Sequence, residues 1–309
     1  GSRLPLWLAL AKSLNTVAAE LSFAVGRENV IEMTQRLGIK GIRKTCSMAL
    51  GDYGITPLEH TGGFATFANG GKRALPYGVT EIYNSKGELI YSRERDEPAP
   101  PQIIKPEVAA GMNWMMNKVV TEGTAQRAGL EFTHSAGKTG TSSGPNDIWF
   151  VGFTGRYVAS VWLGNDDNRP MANGNTGGQI AAPIWHDFMA VAHKDMNIPT
   201  IPGLEPHPAQ IAEQQRIAQL RITDPALAAQ LTGEAEAAAK ASRRLPDAAR
   251  DALRQVATDL RKAAGLAVDP TNGGDAPVPA GKPGDRAALP NPQAGRTAGA
   301  EPRGAGAVQ

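Results

Sequence analysis

The sequence predicts an α+β fold, in which a helical part stands beside an antiparallel sheet closed by a last helix. Three observations carry this. Residues 6–68 repeat apolar side chains at helical spacing, broken by Gly and Pro. Residues 134–163 alternate apolar and small side chains in three short runs, the pattern of strands. Residues 183–192 then return to a helical pattern.

In order, Leu6, Leu10, Leu14, Val17, Ala18 and Leu21 share one helical stripe. A second helix spans Glu28 to Leu37 and stops at Gly38. Thr56-Pro57-Leu58-Glu59 is a capping box with Pro at the first helical position. The helix it opens ends at Asn69-Gly70-Gly71, and Gly62-Gly63 within it implies tight packing. Thr80 to Ile82 and Glu88 to Tyr91 flank Asn84-Ser85-Lys86-Gly87 as a hairpin. Pro106 opens a helix that presents Val108, Met112, Met115 and Val119 on one face. His134 to Thr141, Asp147 to Thr154 and Tyr157 to Leu163 are the strands, the last two joined by Gly155-Arg156.

The 309 residues suffice for one large domain with extensions. Residues 1–195 hold nearly all the aromatics and the periodic pattern. Residues 196–266 form an Ala-, Gln- and Arg-rich extension that can be helical with little apolar surface. Residues 267–309 are rich in Pro, Gly and Ala and read as a disordered tail. A net charge of +2 gives no argument for nucleic acid. The single cysteine, Cys46, excludes an intramolecular disulfide and reads as a buried hydrophobe. The run Leu4 to Ala11 is too short to span a bilayer, and no secretory signal is visible.

The chemistry concentrates at Lys138-Thr139-Gly140-Thr141 on the first strand of the sheet. On an edge strand, such a segment can take a peptide by main-chain hydrogen bonds. The Thr139 and Thr141 hydroxyls can donate to a carboxylate, with Lys138 supplying positive charge. Gly140 lets a ligand come close, and the Thr141 N–H can form half of an oxyanion hole. A phosphate-binding loop is the rival reading of Gly137-Lys138-Thr139. It fails because Phe132 stands where that motif needs Gly, and Ser142 to Asn146 breaks the helix that should follow. A second polar motif, Ser13-Leu14-Asn15, lies far upstream. There Ser13 can relay a proton and Asn15 can hold a substrate backbone. His60, His134, His186 and His193 show no ligand spacing, so no metal site is expected. Trp149 and Trp162, on neighbouring strands, pack together or line the groove, and the Met112–Met116 cluster reads as core. Asn173 to Gly178 is a Gly-rich loop without the helix start a phosphate cradle needs.

These motifs have company. Ala9 to Ala18, Gly54 to Glu59, Phe67 to Gly71, Gly123-Thr124-Ala125, Ala136 to Ser142, Asn146 to Phe153 and Val161 to Asp166 together resemble the C-terminal part of class A (bifunctional, type 1A-like) penicillin-binding proteins. The resemblance covers residues 1 to about 193 in the family's order. It implies a penicillin-binding/serine β-lactamase-like transpeptidase fold acting on peptidoglycan stem peptides and acylated by β-lactams. Ser13, Asn15 and Lys138 are the implied catalytic residues, and Lys138, Thr139, Gly140 and Thr141 the implied substrate-binding ones. It implies no cofactor and no metal. The implied partners are stem peptides ending in D-Ala-D-Ala, β-lactams and other cell-wall synthesis proteins. The implied location is the periplasmic face of the inner membrane. A carboxypeptidase or β-lactamase would share the boxes, and a non-catalytic binding fragment is a further reading.

One departure matters. The family's nucleophile lies in Ser-x-x-Lys on a helix upstream of Ser-x-Asn, and only twelve residues precede Ser13. The one literal match, Ser135-Ala136-Gly137-Lys138, falls at a strand, where Ser135 and Lys138 point to opposite faces. Ser135 is therefore expected to be a decoy. The nucleophile is expected to be missing from this chain, together with an upstream glycosyltransferase domain and membrane anchor. Gly1-Ser2 reads as a cloning remnant or an internal cut.

Overall fold

A computed structural model describes residues 3–144, 146–171 and 174–241. The tail expected over 267–309, and the end of the extension from 242, lie outside the described residues. So do Pro145 and, in the Gly-rich loop, Asn173.

The first apolar stripe is not one helix. It divides into α1 (Leu6–Ala11) and α2 (Asn15–Val25), with Lys12 to Leu14 between them. The break is a Schellman closure. The Leu14 N–H donates to the Ala9 carbonyl (2.9 Å) and the Ser13 N–H to that of Leu10 (3.0 Å). Ser13 occupies the left-handed position with φ 55°. Glycine usually takes that place, and an L-residue there costs about 1–2 kcal/mol. Of the stripe, Leu10 packs against the core, whereas Leu6, Leu14 and Leu21 are exposed, and Ser22 is the only buried residue of α2. Phe23 and Val25 at its end are more than half exposed, at 53% and 54%.

α3 (Arg27–Arg36) follows and ends before Gly38, whose φ is 92°. Cys46, expected buried, is exposed. The hydroxyls of its neighbours Thr45 and Ser47 both donate to the Asp52 carboxylate, which fixes this turn at the surface. α4 (Pro57–Ala68) starts at the expected cap, with the Thr56 hydroxyl accepting from the Glu59 N–H. Its Gly62 and Gly63 are buried, and a Cβ on Gly63 would lie 3.0 Å from Ile39 Cδ1. The hairpin β1 (Glu81–Tyr83) and β2 (Leu89–Ser92) turns on Asn84, whose side-chain oxygen accepts from the Lys86 and Glu88 N–H groups. A short helix, α5 (Arg93–Asp96), comes next.

α6 (Pro106–Thr121) buries the expected face only in part: Val119 is inside and Met112 packs against the core. Val108 is exposed and Met115 half-buried, whereas Ala109, Asn113, Met116, Asn117, Val119 and Val120 are buried. The two asparagines are tolerated inside because their amides donate to backbone carbonyls. Asn113 donates to the Phe67 and Pro202 carbonyls (3.0 and 2.9 Å), and Asn117 to that of Ser135 (2.8 Å).

β3 (Ala136–Thr141), β4 (Asp147–Phe153) and β5 (Val158–Gly164) form an antiparallel sheet in that order. β3 is therefore an edge strand. Ile148 and Phe150 face α7 (Ala182–Ala192) and pack on Trp185 and Met189. Ala136 and Phe153 face the other way, against Met116 of α6 and Phe64 and Phe67 of α4. Trp149 and Trp162 pack together, ring centroids 6.1 Å apart, with His60 of α4 edge-on to Trp149. A π-helical turn, Gly177–Ala181, leads into α7. α8 (Pro208–Thr223) and α9 (Pro225–Ala241) follow, with no buried residue in α8. Among the described residues, no helix is long and apolar enough to cross a membrane.

Candidate active site

The Schellman closure turns the Ser13 side chain toward the sheet. Lys138, on β3, reaches across to it: its Nζ donates to Ser13 Oγ at 2.7 Å and to the Thr139 carbonyl at 2.9 Å. An ammonium has three donors, so one remains for a ligand. Burial pushes the Lys138 amine down to about 8. Two motifs separated by 125 positions thus meet through one charge-assisted bond.

On the opposite face of β3, the Thr139 hydroxyl lies 2.6 Å from that of Thr124. The Thr141 hydroxyl accepts from the Gly177 N–H (3.1 Å), which leaves its own proton free. Gly140 lies across from Trp149, and a Cβ on it would meet Trp149 Cβ at 3.2 Å. The π-helical turn lies directly on the strand. A Cβ on Gly177 would fall 2.2 Å from the Trp149 carbonyl, so only glycine fits.

Of the expected residues, Ser13 and Lys138 are in contact, and Thr139, Gly140 and Thr141 border the same strand edge. Asn15 opens α2, is exposed, and makes no side-chain hydrogen bond to a described residue. Ser135 lies apart. It is buried, precedes β3, and donates to the Ala128 carbonyl (2.8 Å). Thr124 and Gly177 had no assigned part in the motifs; only tertiary contact shows them at the strand. Among the described residues, no three His, Cys, Asp or Glu side chains are grouped to hold a metal ion.

A Lys-Thr-Gly edge strand in an α+β domain, facing a Ser-x-Asn turn, is the layout of the penicillin-interacting serine acyltransferases. The model of the penicillin binding protein transpeptidase domain matches residues 2–190. The chain belongs to that family. It is 38% identical to penicillin-binding protein 1A of Aquifex aeolicus over 184 residues, which covers 59% of this chain and 25% of that protein. With penicillin-binding protein 1A of Neisseria cinerea it shares 34% identity over 271 residues, 82% of this chain and 32% of that one. The chain thus spans about a quarter to a third of the length of these curated relatives. The crystal structure of penicillin-binding protein 1A from Haemophilus influenzae superposes with a TM-score of 0.57 at 25% identity, covering 66% of this chain and 38% of that one.

Proposed function

We propose that this domain performs the serine D-Ala-D-Ala transpeptidation that cross-links peptidoglycan, and that β-lactams acylate the complete protein. The observation that carries this reading is the Lys138–Ser13 bond of 2.7 Å beside an edge strand bearing Thr139 and Thr141. A stem peptide adds to β3 as an extended strand. Its terminal carboxylate takes the remaining Lys138 donor and the two threonine protons. The attacking serine is that of the family's Ser-x-x-Lys motif, a role assigned to no described residue here. Its oxygen bonds the penultimate D-Ala carbonyl carbon, and the Thr141 N–H faces the oxyanion that forms. The carbon–nitrogen bond to the terminal D-Ala then breaks. Ser13, held by Lys138, relays the proton released by the attacking serine to the leaving amine. The amine of a second stem peptide next attacks the acyl-serine, releases the serine and completes the cross-link. Asn15 holds the substrate backbone. No step calls for a metal or organic cofactor, and the reaction belongs outside the cytoplasmic membrane, where stem peptides are.

A second reading applies to this chain alone: reversible binding of stem peptide or β-lactam without acylation. Ser135 favours it, because its hydroxyl is buried against the Ala128 carbonyl and Lys138 is engaged elsewhere. Intact-mass measurement after incubation with benzylpenicillin tests whether this chain holds a nucleophile. The folded chain is expected to carry no adduct. A stoichiometric adduct abolished by Ser135→Ala would make Ser135 the nucleophile and overturn this assignment.

A further inference from the structure

Thr124 belongs to neither motif, yet it touches every wall of the cleft. Its N–H donates to the Ala11 carbonyl (3.1 Å), at the helix end that presents Ser13. Its hydroxyl meets that of Thr139 at 2.6 Å. A Cβ on Gly178 would fall 2.1 Å from its carbonyl, so the π-helical turn presses on it as well. Gly123, just before it, is seated as closely on Ala11, where a Cβ would lie 2.4 Å from the carbonyl oxygen.

Thr124 is exposed, so water could satisfy its hydroxyl. The bond to Thr139 therefore calls for another account. A hydroxyl has one proton to donate and two lone pairs to accept with. If Thr139 donates to Thr124, it offers a bound carboxylate only lone pairs, which repel it. If Thr124 donates to Thr139, the Thr139 proton is free for the carboxylate. An ionised carboxylate can only accept. Its arrival selects the second order, and the relayed bond strengthens the outer one.

We propose that Thr124 is a positioning residue for the terminal carboxylate of the bound stem peptide: its hydroxyl donates to Thr139 and turns the Thr139 proton toward the ligand. This rests on the reading of Lys138, Thr139 and Thr141 as the carboxylate site. Thr124 sets selectivity for a free C-terminus over a blocked one, while the peptide backbone binds β3 independently of it.

The test is the dissociation constant of diacetyl-L-Lys-D-Ala-D-Ala and of its C-terminal amide for the folded chain, by chemical-shift titration. The unsubstituted chain should prefer the acid by about tenfold or more. Thr124→Val should bind the amide within about twofold of the unsubstituted chain and lose most of the preference for the acid. Thr124→Ser should restore it. In a Thr139→Ala background, Thr124→Val should have no further effect. Should valine disturb the turn, Thr124→Ala gives the same comparison without added bulk. A Thr124 variant that keeps the full preference, or that weakens acid and amide alike, would overturn the inference. An unsubstituted chain with no preference would overturn the carboxylate site itself, and this inference with it.

Discussion

At the scale of single residues, the charge on Lys138 governs the cleft. Burial lowers its amine from the ordinary 10.5 to about 8, so it loses its proton well before a surface lysine does. If it grips a carboxylate, affinity for the acid ligand should fall as pH rises through 8, while affinity for the amide stays level. The fold responds with the opposite sign. Between 8 and 10.5 the unfolded chain binds the extra proton, so this group's contribution to stability rises with pH. Titrating both ligands from about pH 6.5 to 9.5 checks the prediction, and parallel acid and amide curves would refute it. Ser13 and Lys138 were legible in the sequence as residue types within short motifs. The strained backbone of Ser13 was not, because apolar spacing runs through Lys12 to Leu14 without a Gly to mark the break. Thr124 was legible only as part of a matching segment, since its role depends on a partner fifteen positions away.

At the scale of elements, α6 shows why a helix was easy to find and its face hard to assign. Pro106 marks its start in the sequence, as the structure has it. The expected face took the apolar residues at their word and put Val108 inside. The structure also buries Asn113 and Asn117, whose amides donate to the carbonyls of Phe67 in the last turn of α4 and of Pro202 and Ser135 in loops. Asn113→Ala should therefore cost about 2–3 kcal/mol, more than an exposed substitution on this helix such as Val108→Ala. Urea unfolding of the two variants measures the difference, and equal midpoints would show that the asparagine is dispensable. The strands were easier to read, because alternation and turn residues at Gly155-Arg156 fix both period and register. The π-helical turn was visible only as a Gly-rich stretch. Its docking depends on the backbone of β3 and β4, which no local pattern encodes.

At the scale of the molecule, the two sides of the sheet are held differently. The α7 side is closed by Trp185 and Met189, and by His193 just past the helix end. His193 is buried. Its Nδ1–H donates to the Met189 carbonyl (2.7 Å), so Nε2 accepts from the Thr154 hydroxyl (2.8 Å). Burial holds its pKa below the ordinary 6.5, with the charge of Arg156 acting in the same direction. As pH falls through 6.5 the unfolded chain takes up the proton first. The stability present at neutral pH is then lost down to the folded-state pKa. Burial shifts His60, His134 and His207 the same way. The melting temperature should drop between about pH 7.5 and 5.5, and drop less in His193→Gln. Equal drops in the two proteins would remove His193 from the account. The other side is closed by Met116 of α6 and Phe64 and Phe67 of α4, while Leu21, Phe23 and Val25 of α2 face solvent.

The free border of β3 has a consequence for solubility. The outward-facing main-chain groups of β3, proposed above to take an extended peptide, could take another copy's strand by the same bonds. Such a border is a seed for self-templated stacking. Lys138 works against this from inside the strand, since stacked copies would bring like charges together in a half-buried row. Gly137 and Gly140 help, because they weaken the border's own tendency to stay extended. The side chains proposed to read an anionic peptide thus also keep the protein apart from itself.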